Sequence, residues 1–281
     1  MISISEDRWT RVGRACLCAG VLACSATGLG AQESATVTTL GLSVATDYFA
    51  NQDALVSPRR HDGVGVGPGA FTIAVERPGS RHGFGIGLRR LDIAAGPNFS
   101  YTIRGGQART IDSEVTLVDA FYSYMRRLDD GRWWLGGAAS LNLAHSEYEF
   151  GAGAAEGFLY VASLQAVGGR TLMSEEDRSL AVRVRLPLLA WVARPPFSTV
   201  DEERLQSSND FFHRLGTGEV VLPGDYSAVA AIADYRQALS DHLGLSVAGR
   251  LEYVRHSDQG QFISARAGID IGLSVQWGGD L

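Results

Sequence analysis

The stretch from Ile263 to Trp277 reads ISARAGIDIGLSVQW, and its residues alternate between two kinds. Every odd-numbered residue is apolar, and every even-numbered residue is polar or glycine. Successive side chains of a β-strand point to opposite faces of the sheet, so this pattern predicts a strand with one apolar and one polar face. A long strand of this kind is typical of a barrel whose outer face contacts lipid.

The same alternation recurs along the chain in segments separated by clusters of Gly, Pro, Asn and Asp. In Leu180–Val192, for example, Leu186, Leu188 and Val192 oppose Arg183 and Arg185. An even strand number fits a closed bacterial barrel. We therefore predict an all-β fold, a closed antiparallel up-and-down transmembrane β-barrel of about ten strands, with an uncertainty of about two strands. The ten segments lie near residues 36–48, 68–77, 82–94, 113–127, 132–148, 157–171, 178–193, 226–239, 242–256 and 261–277.

The connections between segments alternate in length. Those after the second, fourth, sixth and eighth segments are short, and those after the odd-numbered segments run to about 19, 18, 8, 32 and 4 residues. This sorting predicts an outer-membrane location with both termini in the periplasm. The long connection 194–225 is a candidate for binding an extracellular partner, whose identity the sequence does not reveal. Phe99–Thr110 could add a hairpin above the membrane.

Aromatic residues gather near both ends of the predicted strands, as in the two interfacial girdles of such barrels. Those near the short turns are Tyr122, Tyr124, Trp133, Tyr235 and Trp277, and those near the long loops are Tyr48, Trp191, Tyr226, Tyr253 and Phe262.

The N-terminal segment 1–31 has the features of a signal peptide, which leaves residues 32–281 as the barrel domain. Three arginines precede a run of apolar and small residues, and Leu29-Gly30-Ala31 is a plausible cleavage box. All three cysteines lie in this segment, so the exported chain would have no thiol for a disulfide or a metal. An alternative is a lipoprotein box, in which Cys24 would be lipidated.

The end of the last segment resembles the C-terminal targeting signal of bacterial outer-membrane β-barrel proteins. Asp270 is followed by Gly272, and alternating hydrophobic residues including Val275 lead to the aromatic Trp277. In that family the aromatic residue usually ends the chain, whereas here the four residues 278–281 follow it. The resemblance extends to the general architecture only. It implies insertion by the barrel assembly machinery and contact with outer-membrane lipid and lipopolysaccharide.

Many ionisable residues fall on the polar faces and are predicted to point into the lumen. A barrel of eight strands is just filled by its side chains, so ten strands should leave little open space. We expect these groups to form a network of ion pairs that fills the lumen, and the alternative is a narrow path for ions or small polar solutes. The predicted lumen network is Asp47, Glu76, Arg89, Asp119, Arg183, Arg185, Asp234, Arg236, Arg250, Glu252, Arg266 and Asp270.

No catalytic constellation is recognisable, so we expect a non-enzymatic protein with no cofactor and no metal site. His145 and Glu147 share a face that is predicted to lie on the outer rim, which disfavours an acid–base pair. The omptin proteases, another ten-stranded family, use an Asp-His couple on the outer rim, but Asp241-His242 falls in a predicted periplasmic turn. His213 and Asp210 do not suffice for a metal. The formal charge of −6 with dispersed arginines gives no support for nucleic-acid binding.

The predicted function is therefore an outer-membrane barrel with a filled lumen and a structural or surface-interaction role through its extracellular loops. A narrow channel is the second possibility, and an enzyme acting at the extracellular rim is the third.

Overall fold

The computed structural model describes residues 36–55, 57–95, 101–102, 108–109, 112–128, 131–150, 153–194, 216–257 and 260–278. The predicted signal peptide, with Cys24, and the residues Asp210 and His213 lie outside these ranges. In the described part of the chain, no helix is long and apolar enough to span a membrane. The strands are β1 (Val37–Asp53), β2 (Ser57–Arg77), β3 (Ser80–Ala95), β4 (Tyr101–Thr102), β5 (Ala108–Arg109), β6 (Asp112–Arg127), β7 (Trp133–Phe150), β8 (Gly153–Ser174), β9 (Arg178–Ala193), β10 (Glu219–Val221), β11 (Tyr226–Ala238), β12 (Leu243–His256) and β13 (Phe262–Trp277).

Ten long strands form one closed antiparallel sheet in the order β1-β2-β3-β6-β7-β8-β9-β11-β12-β13. β13 pairs back onto β1 from Thr38↔Trp277 to Asp53↔Phe262, which closes the ring. The predicted fold class is thus confirmed. β10 pairs only with the end of β9, and β4 pairs with β5 as a separate small hairpin within the segment predicted to add one. We call the end of the barrel that holds Thr36 and Trp277 the short-turn end, and the other the long-connection end.

The alternation predicted for β13 is the alternation that the structure shows. Ile269, Ile271 and Leu273 are at least half exposed on the outside, while Arg266 and Asp270 are buried inside. Paired residues of neighbouring strands share a face, so the register extends this assignment around the ring. The outer face carries a band of exposed apolar side chains, including Leu42, Val44, Leu88, Leu135, Leu164, Val184, Leu186, Leu251, Ile269, Ile271, Leu273 and Val275.

The band is bordered by aromatic residues on both sides. Near the short-turn end Tyr122, Tyr124, Trp133, Tyr235 and Trp277 point outward, as predicted. Near the long-connection end Tyr48 and Tyr253 point outward, and Trp191 does so as well. The prediction was wrong for Tyr226 and Phe262, which pack inside the barrel among apolar residues.

The connection of about 19 residues predicted after the first segment is mostly strand, because β1 runs on to Asp53 and β2 begins at Ser57. The run Gly63–Gly67 falls within that predicted connection, yet it is part of β2, and Val64 and Val66 point outward and are well exposed. Glycine is needed here because β2 passes close to β3: a Cβ on Gly63 would lie 2.2 Å from the Asp92 carbonyl oxygen. The predicted connection between β7 and β8 is similarly reduced to residues 151–152.

A bulge in β9 reverses the faces of its last residues. β8 pairs Gln165 with Pro187 and then Leu164 with Leu189, so one extra residue lies in β9. Val192 therefore points inward, whereas the sequence analysis placed it on the face of Leu186 and Leu188. Past this bulge β9 no longer pairs with β11: their pairing ends at Ala230↔Arg185, and β10 takes over at Val221↔Ala190.

The interior differs between the two halves of the barrel. On the long-connection side it is filled by two buried apolar clusters, which together we call the outer core. On the short-turn side it holds charged and hydroxyl side chains beside a small apolar cluster of Met125, Ala138 and Val167. The outer core consists of Phe49, Leu91, Ile93, Val115, Leu117, Leu159, Val161, Ala190, Val192, Val221, Tyr226, Val254 and Phe262.

Candidate functional site

A ring of alternating charges crosses the lumen at mid-height, and we call it the central network. Asp47 accepts hydrogen bonds from Arg89 and from Arg266, the latter with Nε 2.9 Å from Oδ1. Arg89 also reaches Asp270 at 2.7 Å. The network is closed by Arg266 to Asp119 at 2.7 Å and by Arg250, which lies 3.5 Å from Asp119 and 3.4 Å from Asp270.

Three arginines thus face three aspartates, so the central network has no net formal charge. Asn142 supports Asp119 by donating from Nδ2 to Oδ1 at 2.9 Å. The carboxylate of Asp47 has room because Gly268 lies opposite it in β13, where a Cβ would come within 2.1 Å of Oδ1. Buried charges are tolerated when they are paired and hydrogen-bonded, and this arrangement meets that requirement.

A second group of charges, the short-turn cluster, lies closer to the termini. Glu76 pairs with Arg81 at 3.0 Å and with Arg236 at 3.5 Å, and Asp234 pairs with Arg183 at 2.6 Å and with Arg236 at 3.6 Å. Three arginines share two carboxylates, so this cluster has one excess positive charge.

The twelve predicted lumen residues all lie on the inner face, but they do not form one network. Six make the central network, and Glu76, Arg183, Asp234 and Arg236 belong to the short-turn cluster. Arg185 and Glu252 belong to neither, and no ion pair of the described residues includes them. Both line a cavity of about 50 Å³ beside the central network.

Two inward arginines that form ion pairs were not predicted from the sequence. Arg81 was assigned to a turn, although it continues the inner row of Arg89 and the intervening glycines in β3. Arg194 follows the β9 bulge, and it binds Asp53 and the Gly260 carbonyl at the long-connection end. Its guanidinium also lies 5.5 Å from the centre of the Phe262 ring. This contact ties β9 to the loop between β12 and β13.

The described lumen contains cavities but no wide space. Besides the cavity at Arg185 and Glu252, one of about 60 Å³ lies under Tyr226 and Phe262, and one of about 140 Å³ lies on the short-turn side. Cavities of this size hold a few water molecules. The central network lies between the larger cavity and the outer core.

Among the described residues, both pairs of a histidine and a carboxylate that the sequence brought to notice lie outside the lumen. His145 and Glu147 point outward, with Nε2 3.7 Å from Oε1. Glu147 lies beyond the apolar band, and the nearby imidazole of His145 holds the pKa of the Glu147 carboxyl below the usual range. Asp241 and His242 are exposed in the turn at the short-turn end, and no group of three or more metal-binding side chains occurs among the described residues.

The residues of the proposed assembly signal occupy both faces of β13. Asp270 belongs to the central network and Gly272 faces inward, while Val275 and Trp277 are about half exposed on the outside.

Comparisons with known proteins find similar solved structures, but they assign the chain to no family. No family model matches the chain, and no curated protein matches it. One similar solved structure is the outer membrane protease OmpT from Escherichia coli, at 10% identity and a TM-score of 0.47, covering 90% of this chain and 100% of that one. The outer membrane protein OprG from Pseudomonas aeruginosa matches at 7% identity and a TM-score of 0.35, over 87% and 96% of the two chains.

The toluene transporter TodX of P. putida matches at 10% identity and a TM-score of 0.36, over 89% and 91% of the two chains. The closed barrel of this chain is identified from the pairing of its own strands. The chain has the architecture of a bacterial outer-membrane β-barrel protein.

Proposed function

We propose that this chain is a non-enzymatic outer-membrane barrel whose lumen is closed and whose role is exercised by the part of the barrel that rises above the membrane. The observation that supports this most strongly is the outer core. Apolar side chains packed together on the long-connection side are typical of a closed protein interior. They are not typical of the water-filled entrance of a channel.

Strand length supports the same proposal. β8 has 22 residues; at about 3.3 Å per residue and a tilt of about 40° it would span about 55 Å along the barrel axis. The apolar band of such barrels is about 25 Å tall. More than half of β8 therefore extends past the lipid, and its outer part holds Leu159 and Val161 of the outer core.

The surface above the band is suited to water and to lipopolysaccharide. Beyond Tyr48 and Tyr253 the outward side chains become charged, with Arg60 beside Asp62 and Arg90 paired with Glu114. Outward charges at this level mark the upper border of the lipid-facing band. The barrel wall would thus offer a rigid platform for an extracellular partner. The segment 195–215, which lies outside the described residues, would take part in binding this partner.

Orientation follows from the same asymmetry. The short-turn end bears Thr36, Trp277 and the compact turns, so we propose that it faces the periplasm, where the C-terminal signal would meet the barrel assembly machinery. Outer-membrane lipid would contact the apolar band.

This orientation predicts the outcome of cysteine labelling on intact cells. Cleavage after Ala31 would leave no native cysteine, so a single new thiol can be followed. An Ala54→Cys variant, exposed at the long-connection end, should react with a membrane-impermeant maleimide, whereas Arg132→Cys, exposed at the short-turn end, should react only after the outer membrane is opened. The reverse pattern would contradict the orientation, and labelling of both on intact cells would contradict the membrane location.

A closed lumen predicts that the protein does not conduct. The purified protein, inserted in planar lipid bilayers and shown to be folded by its boiling-dependent gel mobility, should give no steady open level for potassium or chloride. The physical reason is that the central network holds its charges paired across the lumen, so an ion would have to displace paired groups. Discrete openings of the wild-type protein would instead support the narrow-channel alternative.

A further inference from the structure

We propose that the short-turn half of the lumen holds a small inorganic oxyanion of the phosphate or sulfate class, bound by the guanidinium of Arg185. The proposal does not depend on the orientation of the barrel or on the surface role.

Arg185 is a lumen arginine without a carboxylate partner. Among the described residues, the other arginines inside the lumen each contact at least one carboxylate, and Arg127, which also faces inward, is exposed at the short-turn end. The Nε of Arg185 is fully buried and makes no hydrogen bond. The side chain rests with its guanidinium carbon 5.2 Å from the centre of the Phe121 ring. A buried cation with unsatisfied donors is costly, so a counter-charge is expected.

The cavity of about 140 Å³ on the short-turn side is strongly cationic. Arg81, Arg183, Arg185, Arg236 and Arg250 line it, against the two carboxylates of Asp234 and Asp270. Asp270 already serves Arg89 and Arg250. Even when Glu76 is added, the short-turn cluster and Arg185 together have two more positive than negative charges. The excess therefore lies on the walls of this cavity.

Glu252 does not remove the excess. It lies in the same register row as Arg185, because both pair with Ala230, and both line the smaller cavity, but the two side chains do not come within ion-pair distance. With Glu252 counted, one excess positive charge remains, and Arg185 also lines the short-turn cavity, where the other cationic residues gather.

The chemistry of the cavity selects the class of anion. Thr39, Ser43, Thr72, Ser246 and Ser274 also line it, so hydroxyl groups surround the arginines. A guanidinium presents its donors as a planar fork that matches two oxygens of one anion. The cavity is large enough for several water molecules, and hence for one tetrahedral oxyanion. These features favour phosphate or sulfate over a monatomic halide.

The test is calorimetric titration of inorganic phosphate into the refolded full barrel in detergent, at constant ionic strength set with chloride. The wild type should bind one phosphate saturably, sulfate should compete, and Arg185→Gln should weaken binding at least tenfold. Arg90→Gln is the matched control, because Arg90 points outward and pairs with Glu114, and it should leave the affinity unchanged.

A further variant covers the case in which Arg185→Gln does not fold. Ser246→Ala keeps every charge and should weaken phosphate binding two- to fivefold. The proposal is overturned if the folded wild type shows no saturable binding. It is also overturned if Arg185→Gln or Ser246→Ala binds as the wild type does, or if Arg90→Gln loses as much affinity as Arg185→Gln.

Discussion

An Asp47→Ala variant is expected to lower the free energy of unfolding by about 3–5 kcal/mol, since it removes one partner of a buried group of charges. Asp47 is 2% exposed and serves both Arg89 and Arg266. Its loss would leave Arg89 and Arg266 with one carboxylate partner each instead of two. Urea unfolding in lipid vesicles, followed by tryptophan fluorescence and by gel mobility without boiling, measures the change.

The control for this variant is an ion pair on the outer surface. Arg90→Gln breaks the exposed contact with Glu114 and should cost no more than about 1 kcal/mol. A second pair of variants tests the same site without removing a charge. Gly268→Ala places a methyl group against the Asp47 carboxylate and should destabilise by about 1–3 kcal/mol, whereas Gly249→Ala faces open space. Equal losses for Asp47→Ala and Arg90→Gln would refute the importance of the central network.

An Ile271→Arg variant should destabilise the barrel in lipid by about 2–4 kcal/mol, because a charge would then lie in the hydrocarbon region. Ile271 is 55% exposed in the middle of the outer band of β13. Unfolding in vesicles of defined lipid measures the effect. In a water-soluble barrel the same change on an exposed position would be nearly neutral.

The position-matched control is Ser227→Arg, which also points outward but lies past Val229 and Tyr253 at the border of the band. Near the interface a charge costs about 0–1 kcal/mol. If Ile271→Arg and Ser227→Arg had the same small effect, the band would not be a lipid contact.

The faces of the strands were predictable from sequence, because side-chain direction in a strand depends only on counting by two. Arg266 and Asp270 were placed inward, and Ile269 and Ile271 outward, on that ground alone. The count fails at a bulge. Pro187 is a local sign of a bulge, since proline cannot donate a hydrogen bond to the neighbouring strand, but counting by two ignored it and Val192 was assigned to the wrong face.

Ion-pair partners could not be predicted, since they depend on the register of the whole ring. Arg89 and Asp270 lie 181 positions apart, and Arg266 and Asp47 lie 219 apart. The run Gly63–Gly67 was placed in a connection between strands, whereas its glycines permit a close approach of β2 to β3. Arg81 could have been found by extending the inner row of β3 by one step.

The interruption between β9 and β11 makes the ring mechanically uneven. These two strands pair from Ala230↔Arg185 to Gln237↔Arg178, while β7 and β8 pair from Trp133↔Arg170 to Phe150↔Gly153. A closed ring has no free edge to fray, so its thermal opening begins where fewest hydrogen bonds must break. Amide hydrogens of β9 and β11 beside Pro187 should therefore exchange with solvent through local opening of the sheet. Those of β7 and β8 should exchange only when the whole barrel unfolds.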